Sequence, residues 1–354
     1  MTQTSWESLS NQAVAAAGVV YFLALLAYLA EWALLRQVPV AATRREAIAV
    51  GGRAASDTAT EADDETNDET NDASAASEVS SEVSEQRIAM AGRLGLLLTA
   101  LACAVHLVAM VARGMAAEPH RVPWGNMYEF TLSGTFVVTL LFLATRRRFR
   151  TSWMGPLVVG FVLVLLMVAV LWLYQPVAPL MEALDSYWLV IHVVSAVIAT
   201  GAFTLGGITS VLYLVQDRAE RRGIEHTRGY LSRVPDTVTL DRVSYRMHAF
   251  AFPVWTFAVL ITGPIWAHQA WASYWNWDPK EVWAFITWVV YAAYLHARAT
   301  AGWKGRNAAI LALVGVGTLW FNFIGINYFS TSSMHSYARA DEAPALLTVA
   351  TPGT

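Results

Sequence analysis

A single cysteine, Cys103, excludes a disulfide scaffold, a C-x-x-C redox pair and a cysteine-built zinc site. Charge is scarce too. Asp, Glu, Lys and Arg make up 14% of the 354 residues while 56% are hydrophobic, a balance that argues against a soluble protein. No glycine-rich phosphate loop is present, so a kinase or an ATP-driven transporter subunit has no support, and no internal repeat is seen. Nothing basic precedes the first apolar run, the first arginine being Arg36, so no secretory signal peptide is expected. Tryptophan, by contrast, is abundant: fifteen residues, in a chain that uses lipid as much of its solvent.

Eight stretches are long and apolar enough to cross a hydrocarbon core, which takes roughly 20 helical residues. They lie near 13–35, 92–116, 127–145, 153–174, 188–216, 247–268, 282–301 and 308–329. The fold class expected is therefore an all-α polytopic membrane protein of about eight transmembrane helices. The fifth stretch is overlong and should tilt or project from the membrane. With the N-terminus outside, the inner loops hold twenty of the twenty-four Lys and Arg, leaving Arg113, Arg121, Lys280 and Arg339 outside. That bias predicts both termini on the extracytoplasmic side.

The net charge of −3 averages over two objects. Residues 57–85 carry eleven of the twenty-seven acidic residues and no Lys or Arg, and the rest of the chain sums to +8. The expected organisation is an N-terminal membrane helix (1–36), a cytoplasmic acidic linker (37–91), a membrane domain (92–335) and an external tail (336–354). The acidic segment has almost nothing apolar to bury and reads as a disordered linker, with a docking segment for a cytoplasmic partner as the alternative.

Scattered tryptophans at membrane boundaries are ordinary. The stretch WAHQAWASYWNWDPKEVWAFITW, 266–288, is not: six tryptophans fall in twenty-three residues. Trp271, Trp275 and Asp278 share one face at helical spacing, with Trp277 off it. Pro279, after an Asp able to cap, is expected to launch the seventh span near Lys280. Such a surface suits a flat apolar ligand or the membrane interface itself.

Eight histidines bear on that choice. His192 lies just inside the outer end of the fifth span and His335 just beyond the outer end of the eighth. Both can approach the Trp-rich loop. Two imidazoles at one depth beside aromatic rings are what a six-coordinate haem requires. His120 and His268 are external and near enough to substitute. His226 and His248 read as ordinary. Within the bilayer, His106 lies roughly 20 Å from the inner end and His296 about 8 Å, a mismatch that argues against a shared iron. His296 more plausibly meets a histidine from another chain, and His106 reads as structural.

Together these residues resemble the cytochrome c assembly family, and within it the CcsA-type (ResC-like) subunit of the System II cytochrome c synthase. The resemblance rests on W-A-S-Y-W-N-W-D-P-K-E from Trp271 to Glu281, similar to the family's "WWD" loop. VPWGNMYEF (122–130), SYWLVIHVV, YRMHAFAFP (245–253), GPIWA (263–267), YLHAR (294–298) and MHSY (334–337) follow in the family's order. Two glycines of the family pattern are alanines here, Ala272 and Ala251.

The resemblance implies that His192 and His335 are the axial ligands of haem b, that Trp271, Trp275, Trp277 and Asp278 form its loop, and that His296 is a transit ligand within the membrane. It implies a haem-lyase subunit for c-type cytochrome biogenesis, in a bacterial plasma membrane or a thylakoid-type membrane, with the active face extracytoplasmic. The chain would present transiently bound haem to the C-x-x-C-H segment of apocytochrome c. Its partners would be a ResB/CcsB-type membrane subunit and a thioredoxin-like thiol reductant. A haem exporter and an electron-transferring cytochrome b remain the alternatives.

Overall fold

The computed structural model describes residues 2–37, 66–179, 184–224, 230–330, 333 and 334. All regular structure among them is helical. Eight long helices follow one another: α1 Gln3–Gln37, α2 Thr66–Ala116, α3 Met127–Phe149, α4 Gly155–Trp172, α5 Tyr187–Arg221, α6 Thr237–Trp271, α7 Pro279–Thr300 and α8 Arg306–Gly325. A one-turn helix, α9 (Ile326–Phe329), continues α8. Seven of the eight have both the length and the hydropathy to cross a membrane; α7 has the length, but its tryptophans, tyrosines and histidine lower its hydropathy. Each expected span coincides with one of these helices to within about two residues where it overruns an end, and the eighth runs on through α9. Helices are what a bilayer demands, because hydrocarbon offers backbone N–H and C=O groups no partner.

The acidic segment departs from expectation. Residues 38–65 lie outside the described residues, as do His335 and the 336–354 tail, but from Thr66 the chain is helical and runs unbroken into the second span. A disordered linker over the whole of 37–91 is thereby corrected for its second half. The physical reason is local: no Gly or Pro occurs between Gly52 and Gly92. A helix already nucleated in the membrane can therefore propagate outward one hydrogen bond per residue.

α1 and α2 meet along small side chains. Ala13, Ala17 and Ala24 face Ala102 and Ala109 in one buried cluster, and the Ser10 hydroxyl donates to the Ala109 carbonyl at 2.9 Å. Between helices in lipid, close backbone approach and dispersion replace the hydrophobic effect. Gly95 shows how close: a Cβ there would lie 2.8 Å from the Tyr28 ring. α5 is the most enclosed helix, packed by α3, α6 and α8.

Near the start of α3 a polar knot ties four segments. Glu129, 1% exposed, accepts from Arg113 Nε and Arg121 Nη1, both at 3.0 Å, and from the Gly125 N–H at 2.8 Å. Arg113 also donates to the Gln175 carbonyl and stands 3.6 Å from Glu7 of α1. Its guanidinium lies over the Tyr128 ring at 5.1 Å. A carboxylate this buried is tolerable because two cations and a backbone donor replace its water.

Removing one member of a buried pair leaves an uncompensated charge. Glu129→Ala is therefore expected to cost about 3–5 kcal/mol. Asp217→Ala, which breaks the pair with the half-exposed Arg221, should cost less than about 1 kcal/mol. Thermal unfolding of the purified protein in detergent compares them, and equal shifts would contradict the role given to Glu129.

Candidate functional site

The arginine-rich turns after α3 and α7 lie at one end of the bundle and the Trp-rich segment at the other. At the Trp-rich end opens a cavity of about 1230 Å³, mouth included, walled by Trp124, Phe130, His192, Trp266, Trp275 and Phe323 among others. Its lining is mostly apolar, with Asn126, Lys280, Glu281 and Asn322 as polar members.

His192 projects from α5 into this wall. Its Nδ1 lies 2.9 Å from the Ala258 carbonyl of α6, and its ring lies near-parallel to Trp266, centroids 5.9 Å apart at 14°. Donation from Nδ1 to that carbonyl selects the tautomer in which Nε2 carries the lone pair, as in orthodox metal-binding histidines. The carbonyl is within reach because α6 is π-helical from Phe257 to Thr262, so that Ala258 accepts the Gly263 N–H five residues on. Gly263 matters for the same contact: a Cβ there would sit 3.2 Å from the His192 ring and 3.0 Å from the Ala258 oxygen.

The Trp-rich segment is not a helix throughout, which corrects the shared face expected for Trp271, Trp275 and Asp278. α6 stops at Trp271, where Ala272 takes the left-handed conformation (φ 57°) and returns its N–H to the His268 carbonyl. Residues 273–278 are irregular. Left-handed backbone favours glycine, so Ala272 holds at a cost of about 1 kcal/mol the shape a glycine would take freely. Ala251, the other alanine, is buried mid-helix and meets no such constraint.

The four loop residues consequently do different things. Trp271 packs edge-on against Trp266 at 4.9 Å, behind the cavity wall. Trp275 lines the cavity. Trp277 is 76% exposed, its ring edge against Trp275 at 6.0 Å, and its φ of 55° turns the chain back toward α7.

Asp278 is 4% exposed and its carboxylate is a clamp. It caps α7 by accepting from the Lys280 N–H at 2.8 Å, while Glu281 reciprocates to the Asp278 N–H. This is the expected helix start, with Pro279 as its first residue. The same carboxylate accepts from the Ser333 hydroxyl at 2.9 Å and the Met334 N–H at 2.6 Å. It thus holds the two residues that precede His335 in the chain. Lys280 adds a second tie, donating from Nζ to Asn327 Oδ1 at 2.8 Å.

The other histidines separate cleanly. His296 is exposed on the outer face of α7, far down the helix from the cavity. His106 is fully buried, with Tyr21 and Phe136 edge-on at 6.1 and 5.8 Å. His248 is enclosed by Phe203, Tyr291 and Tyr294. His120 bonds its own turn through Ala117, and His268 stacks on Tyr274 at 4.3 Å; neither lines the cavity. His226 lies outside the described residues.

Sequence reasoning passed over several participants. Trp124 follows Pro123 in VPWGNMYEF (122–130) and lines the cavity with its Nε1 tied to Ser133. Asn126 caps α3, accepting from the Glu129 N–H at 2.9 Å. The Asn-x-x-Glu spacing before an apolar run is a readable cap signal. The Ala258 carbonyl carries no signal at all, since π turns have no residue code of their own.

The sequence profile of the family described as "Cytochrome C assembly protein" matches residues 124–334. The cytochrome c biogenesis protein CcsA of Chlamydomonas reinhardtii is 35% identical over 222 residues, covering 61% of this chain and 60% of that protein. CcsA of Guillardia theta is 35% identical over 257 residues, 68% of this chain and 83% of its own length. CcsA of Synechococcus elongatus is 39% identical over 198 residues, 45% and 60% respectively. Against the algal Chlamydomonas and the cyanobacterial protein, this chain thus spans about three fifths of the relative's length. Among solved structures, a protein titled "Cytochrome c Heme Lyase CcmF" shares the fold, with TM-score 0.55 and 17% identity over 92% of this chain and 49% of that one. The matched region holds the cavity, His192 and the Asp278 clamp, and by it this chain belongs to the cytochrome c assembly protein family, as a CcsA-type member.

Proposed function

We propose that the cavity at the Trp-rich end receives haem b and presents it for covalent attachment to apocytochrome c, making the chain the haem-handling subunit of a cytochrome c synthase. The observation that carries this reading is His192: an imidazole on the wall of an aromatic cavity, its Nδ1 engaged by a backbone carbonyl and its ring braced on Trp266. The fit is chemical. Trp124, Trp275, Phe130 and Phe323 offer flat apolar walls to a flat apolar ring system, and Asn322 Oδ1, on the wall, is buried without a hydrogen-bond partner among the described residues.

His335 is the second axial ligand in this reading, and the Asp278 clamp on Ser333 and Met334 supports it by fixing the chain immediately before that histidine. Trp275 forms wall, Trp271 braces Trp266, and the exposed Trp277 faces the incoming substrate. Haem supplies vinyl groups as acceptors for the substrate's two thiols. The chain's own residues bind, orient and exclude water; its one thiol, Cys103, is buried in α2 and takes no part. Reductant then comes from outside, from a thioredoxin-like protein. His296, exposed on α7, would face a ResB/CcsB-type partner and act as transit ligand with it. The basic turns at the opposite end support an extracytoplasmic Trp-rich end in this reading. The membrane is the plasma membrane of a bacterium or a thylakoid-type one.

Three outcomes follow from these assignments. His192→Ala should convert a low-spin haem spectrum of the purified complex to a mixed-spin one and lower cytochrome c maturation at least tenfold, with added imidazole restoring the spectrum. Retention of both haem and maturation would refute the ligand assignment. Asp278→Ala should lower the unfolding temperature, as loss of a cap worth about 1 kcal/mol does, and should also loosen the second axial position in an imidazole-reversible way. An unchanged spectrum would reduce Asp278 to a helix cap. His296→Ala should leave stability unchanged and reduce haem content only when the partner subunit is co-expressed, which pyridine haemochrome assays of both preparations would read.

A further inference from the structure

A second cavity, of about 1020 Å³ with its open mouth included, lies at the arginine-rich end, between the last turns of α1, the middle of α2 and the entry to α4. Trp32, Trp153, Tyr28 and Tyr230 give it aromatic walls, and Arg93, Arg150 and Arg233 give it charge. Arg233 is neutralised by Glu31 at 3.1 Å. Arg93 and Arg150 have no acidic partner among the described residues, so the cavity carries two uncompensated positive charges.

Two further features point to an occupant. Arg150 sits at φ 53°, ψ 43°, a left-handed conformation that glycine or asparagine would take with less strain, yet the position carries a guanidinium on the cavity wall. Trp153, on the same wall, has its Nε1 buried with no hydrogen-bond partner among the described residues. The Tyr230 hydroxyl, in contrast, is already spent on the Trp153 carbonyl at 2.7 Å. Beside Arg93, the outer face of α2 is an apolar stripe of Met90, Leu94 and Leu97, all exposed.

We propose that this cavity binds the headgroup of an anionic phospholipid: Arg93 and Arg150 take the phosphodiester, Trp153 Nε1 donates to a headgroup oxygen, and the acyl chains run along the α2 stripe. Planar guanidinium groups match phosphate oxygens bidentately. Aromatic and basic side chains at one depth are the chemistry of the headgroup layer, and the pair exceeds what diffuse attraction to a charged surface requires. The bound lipid would add to the contacts that already join α1 to the turn before α6, Glu31 with Arg233 and Trp32 with Tyr230.

The test is lipid retention by the full-length protein. Wild-type protein is purified in detergent and reconstituted in nanodiscs of phosphatidylglycerol or phosphatidylcholine, and tightly bound lipid per chain is counted by mass spectrometry. We expect phosphatidylglycerol to be retained over phosphatidylcholine and to raise the unfolding temperature. The R93Q/R150Q double variant should lose about tenfold in retention for each arginine contact and lose that stabilisation. R147Q/R148Q, at the same end but off the cavity, should change neither. Equal retention of the two lipids by wild type, or an equal loss in the off-cavity variant, would overturn the site. Displacement of the lipid by inorganic phosphate would show that the cavity recognises the free anion and not a lipid. Lipid bound only after removal of residues 38–64 would show that the chain's own acidic segment fills it, and would equally overturn the proposal.

Discussion

The carboxylate of Asp278 is where the functional end of the molecule is fastened. One side chain ends an irregular loop, starts a membrane helix and holds the segment that follows α9. Burial makes these bonds strong, because no water competes for the two oxygens, and it makes them obligatory, because an unmet carboxylate there would be costly. Everything at the cavity mouth inherits its position from this point. The tryptophan loop is held at its C-terminal end by Asp278 and at its N-terminal end by the left-handed turn at Ala272. Lys280 and Asn327 then tie the loop to the base of α3, where Asn327 reaches the Met127 sulfur at 3.3 Å.

The opposite strategy operates in the first helix pair. α1 and α2 are joined by alanines, two glycines (Gly92 and Gly95) and a serine hydroxyl, a seam with little charge along most of its length. Its polar attachment comes at the Trp-rich end, where Glu7 meets Arg113 and accepts from the Val177 N–H. The family's profile begins at Trp124 and omits this pair. Glu129, within the profile, pairs with Arg113, the arginine that meets Glu7 of α1, so this helix pair is fastened to the VPWGNMYEF segment.

Much of this was legible in the residues. Hydropathy located eight spans because lipid enforces a simple rule on long apolar runs, and Asp278–Pro279 announced the start of α7 because capping is local chemistry. His192 beside the tryptophans was legible as well, since span order and depth place both at one end. The side-chain geometry of the loop was not. Helical spacing grouped Trp271, Trp275 and Asp278, and a single residue with positive φ at 272 dispersed them into brace, wall and clamp. Composition also misread the acidic stretch, where the lack of helix breakers outweighed the lack of apolar residues. The bond from His192 to Ala258 depends on a π turn, and the same side chains would serve equally in an α-helix.

That π turn has an evolutionary reading. A π turn amounts to one extra residue accommodated in an α-helix, absorbed by a wider turn that leaves the helix beyond it in phase. Deleting one of the six residues from Phe257 to Thr262 would restore regular α-helix with Trp266 and the loop entry facing nearly as before, but it would remove the widened turn that offers the Ala258 carbonyl to His192. The partner of the histidine is therefore stored as a residue count. It can survive the replacement of many side chains in that turn, and it can be lost in one step by a deletion.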